Sequence, residues 1–160
     1  MAKFSEWLLL ILNRFAPPAN RALLKAKSDP NHYRDFLQTR SESSFELFGD
    51  FNLEGKVVLD VGCGMGSNIK YLRERGAREI AAFDIDLLQL RNAWVAFVDS
   101  ARVGFLAADA GSMPFRDETF DMLVATDTFE HLRDVEAVLR ECHRVLRPGG
   151  ELFLYYPPFY

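Results

Sequence analysis

Val57-Val58-Leu59-Asp60-Val61-Gly62-Cys63-Gly64-Met65-Gly66-Ser67 is the stretch whose reading decides the fold. Aliphatic, strand-forming residues run into an acid and then into glycines at positions 62, 64 and 66. Directly after them, Ile69 and Leu72 fall on one side of a helical pattern, with Lys70, Arg73 and Glu74 on the other. Strand, glycine turn and helix together open a βαβ unit. Glycine is needed where φ is positive or where a ligand must come close to the backbone. The start of a helix offers unpaired N–H groups and the positive end of a dipole to an anionic group. Open α/β sheets bind ligands over the carboxyl ends of their strands, so the spacing predicts a site above this turn. The same residues also suit a strand-to-helix turn that binds nothing, and only the rest of the chain separates the two.

Working outward toward the C-terminus, the pattern alternates strictly between strand and helix. The first strand is Lys56 to Val61, and its helix runs from about Gly66 to Arg75, with Gly76 at the C′ position. A second strand, Glu79 to Phe83, ends in Asp84, and the following helix carries Leu87, Leu90, Trp94, Phe97 and Val98 at core-facing spacing. A third strand, about Val103 to Ala108, ends in Asp109; a fourth, Phe120 to Ala125, follows a polar loop. The last helix has Val135, Val138, Leu139, Cys142, Val145 and Leu146 on one stripe, with Arg147-Pro148-Gly149-Gly150 as its stop. A fifth strand spans Glu151 to Tyr156. Strands separated by helices imply a parallel sheet with right-handed crossovers. The predicted class is α/β.

Working outward toward the N-terminus, residues 1–54 read as a helical cap and 55–160 as the core. Trp7 to Leu12 is an apolar run far shorter than the roughly 20 residues that a spanning helix requires. Glu6 and Pro17-Pro18 do not suit a signal peptide. The run is expected to be an amphipathic helix that covers a pocket, meets a partner or touches a membrane surface weakly. Pro17-Pro18 ends it. A second short helix is expected from Ala19 to Lys27, broken at Asp29-Pro30. One or two further helices follow between Asn31 and Phe48, the second of them capped within Ser41-Glu42-Ser43-Ser44.

At 160 residues, 49% hydrophobic and 26% charged, the chain suits one globular domain with a real core. Its net charge of −4 gives no basic face for nucleic acid. Cys63 and Cys142 make neither a metal-ligand spacing nor a disulfide framework, which points to a reducing cytoplasm.

Asp60, Asp84 and Asp109 each close a strand in this reading, so their carboxylates should line one crevice. Asp84 lies about 20 residues past the glycine turn, where a carboxylate can accept both hydroxyls of a ribose. Asp109 could meet a purine amino group, and Asp60 could hold an ammonium. Each acid taken singly also suits strand-end capping. Together they favour a nucleoside. A dinucleotide fingerprint asks for glycine or alanine in the sixth place; Ser67 stands there, which argues against a nicotinamide or flavin dinucleotide.

These residues resemble the motifs of the class I S-adenosylmethionine-dependent methyltransferases, within the large small-molecule (type 11) group. Leu59-Asp60-Val61-Gly62-Cys63-Gly64-Met65-Gly66 is similar to that family's first motif and Phe83-Asp84-Ile85-Asp86 to its second. Ala108 to Asp121, which contains Met113-Pro114-Phe115, is similar to its third and fourth. Glu130-His131-Leu132 and Arg144-Val145-Leu146-Arg147-Pro148-Gly149-Gly150 are similar to the closing motifs. The resemblance covers about Gly55 to Tyr156. It implies a Rossmann-like, mostly parallel sheet of about five strands flanked by helices, and S-adenosylmethionine as cofactor. It further implies that Gly62, Cys63, Gly64 and Gly66 approach the methionyl part of the cofactor, with Asp60 near its amino group. Asp84 would bind the ribose hydroxyls and Ile85 would lie against the adenine. Asp109 would accept from the adenine amino group beside the Ala110 backbone, and Thr126 would flank the methionyl tail.

Methyl transfer is an in-line displacement, so the protein supplies positioning and, for a hydroxyl or amine acceptor, a base. His131, after the fourth strand, is the candidate base, and a histidine at the matching place in phosphoethanolamine-type methyltransferases supports it. It equally suits a packing or capping residue. His32 and Tyr33 could close over an acceptor or pack the cap, and His143 reads as a solvated helix-face residue. The acceptor is expected to be a small molecule or lipid-like compound. Family members continue past the fifth strand, whereas this chain stops at Pro157-Pro158-Phe159-Tyr160. It therefore reads as truncated after the fifth strand: either it is a fragment, or the N-terminal helices or a second subunit cover the sheet edge. A protein that binds the cofactor without turnover is the alternative reading, and a nucleotide-dependent oxidoreductase a third.

Overall fold

A computed structural model describes residues 30–46 and 52–155 of the chain. β1 (Val57–Val61) is buried along its whole length, as an apolar run covered on both faces must be. It lies between β2 (Glu79–Asp84) and β4 (Phe120–Thr126), with β3 (Val103–Ala107) outside β2 and β5 (Leu146–Tyr155) outside β4. Every pairing in the order β3-β2-β1-β4-β5 is parallel. The five strands and their parallel pairing are those expected from the alternation of patterns. Successive strands step one way from β1 to β3 and the other way from β4 to β5. The order reverses between β1 and β4, and it is outside the carboxyl ends at such a reversal that these sheets bind ligands.

Helices pack on both faces, leaving Leu106 of β3 exposed. On one face, Val58, Ile80, Met122 and Val124 pack with Ile69 and Leu72 of α2 (Ile69–Glu74) and Leu90 of α3 (Leu87–Phe97). On the other, Leu59, Val61, Leu123 and Ala125 pack with Val138, Cys142 and Val145 of α4 (Val135–Val145). The connection from β3 to β4 is a loop without a helix, pinned by Met113 and Phe115 against this second face.

Four expectations are corrected. First, the core-facing stripe on α3 is narrower and rotated: Leu90 and Ala93 are buried, whereas Leu87 is 68% and Trp94 53% exposed, and Val98 also faces outward. α3 lies at the margin of the sheet and meets it, with the glycine turn, through one seam of small and medium side chains. A periodic pattern cannot say which of two adjacent rows that seam will use. Val135 and Leu139 likewise stand outside the buried row of α4.

Second, one helix, α1 (Pro30–Glu46), occupies the stretch read as one or two. Its serines do not cap. The Ser44 hydroxyl donates to the Arg40 carbonyl at 2.9 Å, and the Ser41 hydroxyl donates to the Asn68 side chain. Ser44 thus bonds back to its own helix, whereas Ser41 is turned away from the helix backbone to a distant partner. Third, the stop after α4 is absorbed into β5. Leu146 pairs with Phe120, the register then shifts, and pairing resumes at Glu151 opposite Met122. Pro148, which has no N–H, sits in the irregular part. Fourth, Asp60 does not close its strand; Val61 does, and Asp60 is wholly buried.

The sheet unit begins at Arg40, within α1. Phe45 shows why: it is wholly buried, stacked 4.2 Å from Tyr71 and 4.7 Å from Phe153 between ring centroids. The helix expected at Trp7–Leu12, that at Ala19–Lys27, the break at Pro17-Pro18 and the tail Pro157–Tyr160 lie outside the described residues. Phe45→Ala removes a buried aromatic from this stack and should destabilise the fold by about 3 kcal/mol, read as a lower midpoint in urea denaturation.

Candidate functional site

The turn after β1 is built against its neighbours. Gly62, Gly64 and Gly66 all have positive φ, at 70°, 51° and 81°. Their roles differ. A Cβ on Gly62 would lie 2.5 Å from Cγ2 of Thr128, and one on Gly66 would lie 2.9 Å from the Phe97 ring. At both positions glycine is demanded by the protein's own packing as well as by φ. At Gly64 the nearest atom would be the flexible tip of Gln89, 3.3 Å away, so this glycine alone presents an open face of backbone. Thr128 fixes the turn from the β4 side, its hydroxyl donating to the Val61 carbonyl at 3.0 Å. Cys63 is buried and its N–H bonds the Phe83 carbonyl at 2.9 Å. Burial pushes its thiol far up, with Asp60 and Asp84 adding to the rise, so it is an inert packing group.

Asp84, at the carboxyl end of β2, binds the turn directly. Its Oδ2 accepts the Gly64 N–H at 2.7 Å and its Oδ1 the Asp86 N–H at 2.8 Å. Asp86 in turn caps α3, accepting from the Leu88 and Gln89 amides. Asp109 lies two residues past β3, exposed, and accepts the Gly111 N–H at 2.8 Å. Strand-end bonding is therefore real for these acids. It does not exhaust them, because each carboxylate oxygen has a second lone pair. Ile85 stands 72% exposed beside Asp84, and the Ala110 segment is half-buried against the second core face.

Asp60 sits beneath this rim. Its Oδ1 accepts the Asn68 amide at 2.8 Å, and its Oδ2 has no partner. Desolvation raises the carboxyl most; the Asn68 bond pulls it down and the Asp84 charge pushes it up, leaving it at about 7. The Asn68 carbonyl oxygen accepts from Ser41 and, at 3.1 Å, from Thr126. One residue along from each, Arg40 pairs with Asp127 at 2.7 Å. Burial raises the Asp127 carboxyl; Arg40 and His131 oppose that rise, and Glu130 adds to it. His131 ends a one-turn 3₁₀ segment, Phe129–His131, and is exposed. His32 and Tyr33 lie on α1 ahead of Arg40, and His143 is exposed on α4.

The residues missed from the sequence are Glu141, which had no role there, and Arg144, which stood there only in a closing motif. Arg144 donates all five of its N–H groups. Nε and Nη2 bond Glu141 at 2.7 Å, Nη1 bonds the Phe115 carbonyl at 2.8 Å and Asp117 at 2.7 Å, and Nη2 also bonds the Met113 carbonyl at 2.9 Å. Glu141 accepts the Met113 N–H at 2.7 Å as well, and the Arg144 bond holds its carboxyl below the usual range. This fork fixes the loop that leads on from Asp109 and Ala110. An i, i+3 acid–base pair on a helix was the available signal, but its target loop lies about 28 residues away.

Together these groups offer acceptors for hydroxyl and amino donors, an exposed apolar side chain for a flat ring, and an open stretch of glycine backbone. A family model described as methyltransferase domain matches residues 59–154. The chain is 37% identical over 128 residues to Methyltransferase GfsG of Streptomyces halstedii, covering 78% of this chain and 46% of that protein. It is 39% identical over 93 residues to malonyl-[acyl-carrier protein] O-methyltransferase of Pseudescherichia vulneris, covering 58% and 36%. A crystal structure of a SAM dependent methyltransferase from Aquifex aeolicus superposes with a TM-score of 0.58 at 29% identity, covering 68% of this chain and 58% of that one. The chain spans less than half the length of both curated relatives.

Arg144→Lys keeps the charge but loses the planar fork, leaving loop carbonyls without donors. It should cost about 2 kcal/mol in stability, read by chemical denaturation. Faster amide exchange at 110–118 than in the unmutated chain checks that the loop is what loosens.

Proposed function

We propose, since this chain belongs to the class I S-adenosylmethionine-dependent methyltransferase family, that it binds S-adenosylmethionine above the glycine turn and methylates a small-molecule or lipid-like acceptor. The observation that carries the reading is Asp84: backbone N–H groups at 2.7 and 2.8 Å fix its carboxylate at the rim of the crevice, with lone pairs left over. A carboxylate held in this way is pre-oriented for the paired hydroxyls of a ribose.

The other residues fit the cofactor. Gly64 offers the backbone approach, because a Cβ there would meet only the tip of Gln89. Gly62, Gly66 and Cys63 shape the turn around it. We assign Asp109, exposed past the end of β3, and the Ala110 backbone to the adenine amino group, and the exposed side chain of Ile85 to the ring. To the methionyl end we assign Asp60, whose buried Oδ2 lacks a partner, and Thr126, whose hydroxyl donates to Asn68. When bound, the cofactor supplies a methyl group activated on a sulfonium. The chain's task is to orient an acceptor in line and, where that acceptor is a hydroxyl or amine, to take its proton. His131 is the proposed base; it lies five residues past Thr126 at the carboxyl edge of β4.

Free Cys63 and Cys142 fit a reducing, cytoplasmic setting. Among the described residues no helix is long and apolar enough to cross a membrane; the weak membrane contact proposed for Trp7–Leu12 lies outside them. β5 has no strand beyond it among the described residues, and a second copy of the chain is the proposed cover for that edge.

Calorimetric titration should show S-adenosylhomocysteine binding to the unmutated chain and weakening about tenfold or more in Asp84→Ala, since a charged hydrogen-bond partner is worth about 1.5–3 kcal/mol. Unchanged affinity would remove Asp84 from the site. Against whichever member of an acceptor panel is turned over, His131→Ala should slow turnover by about 10²-fold or more with cofactor affinity unaltered. A near-normal rate leaves His131 a structural residue.

A further inference from the structure

Among the described residues, the buried side-chain oxygens that lack a hydrogen-bond partner belong to Asp60, Tyr71 and Glu130. Of these only Asp60 is a carboxyl with no exposed surface at all. Its surroundings are built to a pattern. Asn68, itself 1% exposed, accepts at Oδ1 from hydroxyls on two different elements, Ser41 of α1 and Thr126 of β4. Those hydroxyls turn the amide so that its nitrogen faces Asp60 Oδ1. One oxygen of the carboxyl is thus satisfied and the other left open, in a place where an unpaired charge is costly.

We propose that Ser41 and Thr126, acting through Asn68, hold Asp60 as a buried carboxyl that gives up its proton as positively charged S-adenosylmethionine enters, providing in full a counter-charge that the empty site carries only in part. The inference rests on the cofactor reading above. The Oδ2–H bond breaks, the proton leaves to solvent, and the carboxylate balances the incoming cation. The ionisation lies in the right range: burial, opposed by the Asn68 bond and reinforced by Asp84, brings Asp60 to about 7. The groups that face it are few. Asp84 on β2 is the charged one; Cys63 on the turn stays a thiol, because burial pushes it far up. From α1, the turn before α2 and β4 come the neutral Ser41, Asn68 and Thr126, while Arg40 and Asp127 next to them are paired with each other. Ser41, Asn68 and Thr126 are positioning residues in this scheme: they act on the cofactor through Asp60.

The sign follows from linkage. Below about pH 7 the cation must expel a proton to bind, so affinity falls with falling pH; above it, affinity is flat. Titration of S-adenosylmethionine into the full chain at pH 7, in phosphate and in Tris, reads the proton directly, because these buffers differ in ionisation enthalpy. We expect release of about half a proton per molecule bound, and affinity about tenfold weaker at pH 6 than at pH 8. In Asp60→Asn, which keeps the shape, both effects should vanish. Ser41→Ala should move the midpoint of the pH profile upward, because Asn68 then holds the carboxylate less firmly. A Ser41 that merely packs would weaken binding by one factor at every pH. Where Asp60→Asn fails to fold, the Ser41→Ala and Thr126→Val midpoints decide. Binding heat that is the same in both buffers overturns the proposal and leaves the cofactor reading standing, as does proton release that persists in Asp60→Asn. No binding heat at all removes the cofactor reading and the proposal with it.

Discussion

The hydrogen bond from the Gly64 N–H to the Asp84 carboxylate, 2.7 Å long, is the constraint on which the rest of the site depends. It joins the turn after β1 to the end of β2 and so converts two strand ends into one rim. The ladder leads up to it through the Cys63 N–H on the Phe83 carbonyl, and Thr128 holds the turn from the other side. A charge-assisted bond of this kind is about twice as strong as a neutral one, which suits a turn that keeps three residues at positive φ. The same atom pair also orients a carboxylate toward the crevice. A structural role and a ligand role at Asp84 are not alternatives, because one lone pair of each oxygen serves the fold and the others remain.

That duality bears on what a glycine motif means. In the G-x-G-x-G rhythm, Gly62 and Gly66 are explained by Thr128 and Phe97, whose atoms stand where a Cβ would be. Only Gly64 faces open space that a ligand could use. A turn read solely as a ligand cradle would assign all three glycines one reason. The structure divides them into two that let strand, turn and α3 pack closely and one that leaves backbone bare.

The strand order, the parallel pairing and the glycine turn were legible in the sequence because each is signalled locally. Buried strands are nearly continuous apolar runs, as Val57–Val61 is apart from Asp60, and the turn announces itself by residue type. What was not legible depends on partners far along the chain. Whether Leu87 and Trp94 or Leu90 and Ala93 face the sheet is set by where α3 lands, and the 3.6-residue period is the same for both rows. Ser41 looked like a cap because serine often is one; it became part of the site by reaching Asn68 across 27 positions. The role of Arg144 was hidden because its anchors, the Met113 and Phe115 carbonyls, belong to a loop with no pattern of its own.

Asp60 shows why such long-range polar groups persist in a core. Its folded-state ionisation lies at about 7 against an ordinary 3.8, so the folded chain holds the proton more tightly than the unfolded one. The stability this confers is fully present below about pH 4 and is lost as pH rises through about 7. At neutral pH the empty fold is therefore already giving up part of that stability, and an apolar residue of similar size would avoid the loss. Between a buried carboxyl that weakens the empty fold and an aliphatic one that does not, the sequence keeps the carboxyl, and surrounds it with Asn68, Ser41 and Thr126 so that only one oxygen is answered. On the proposal made above, the entering cation is what such an arrangement, costly to the empty fold, would serve.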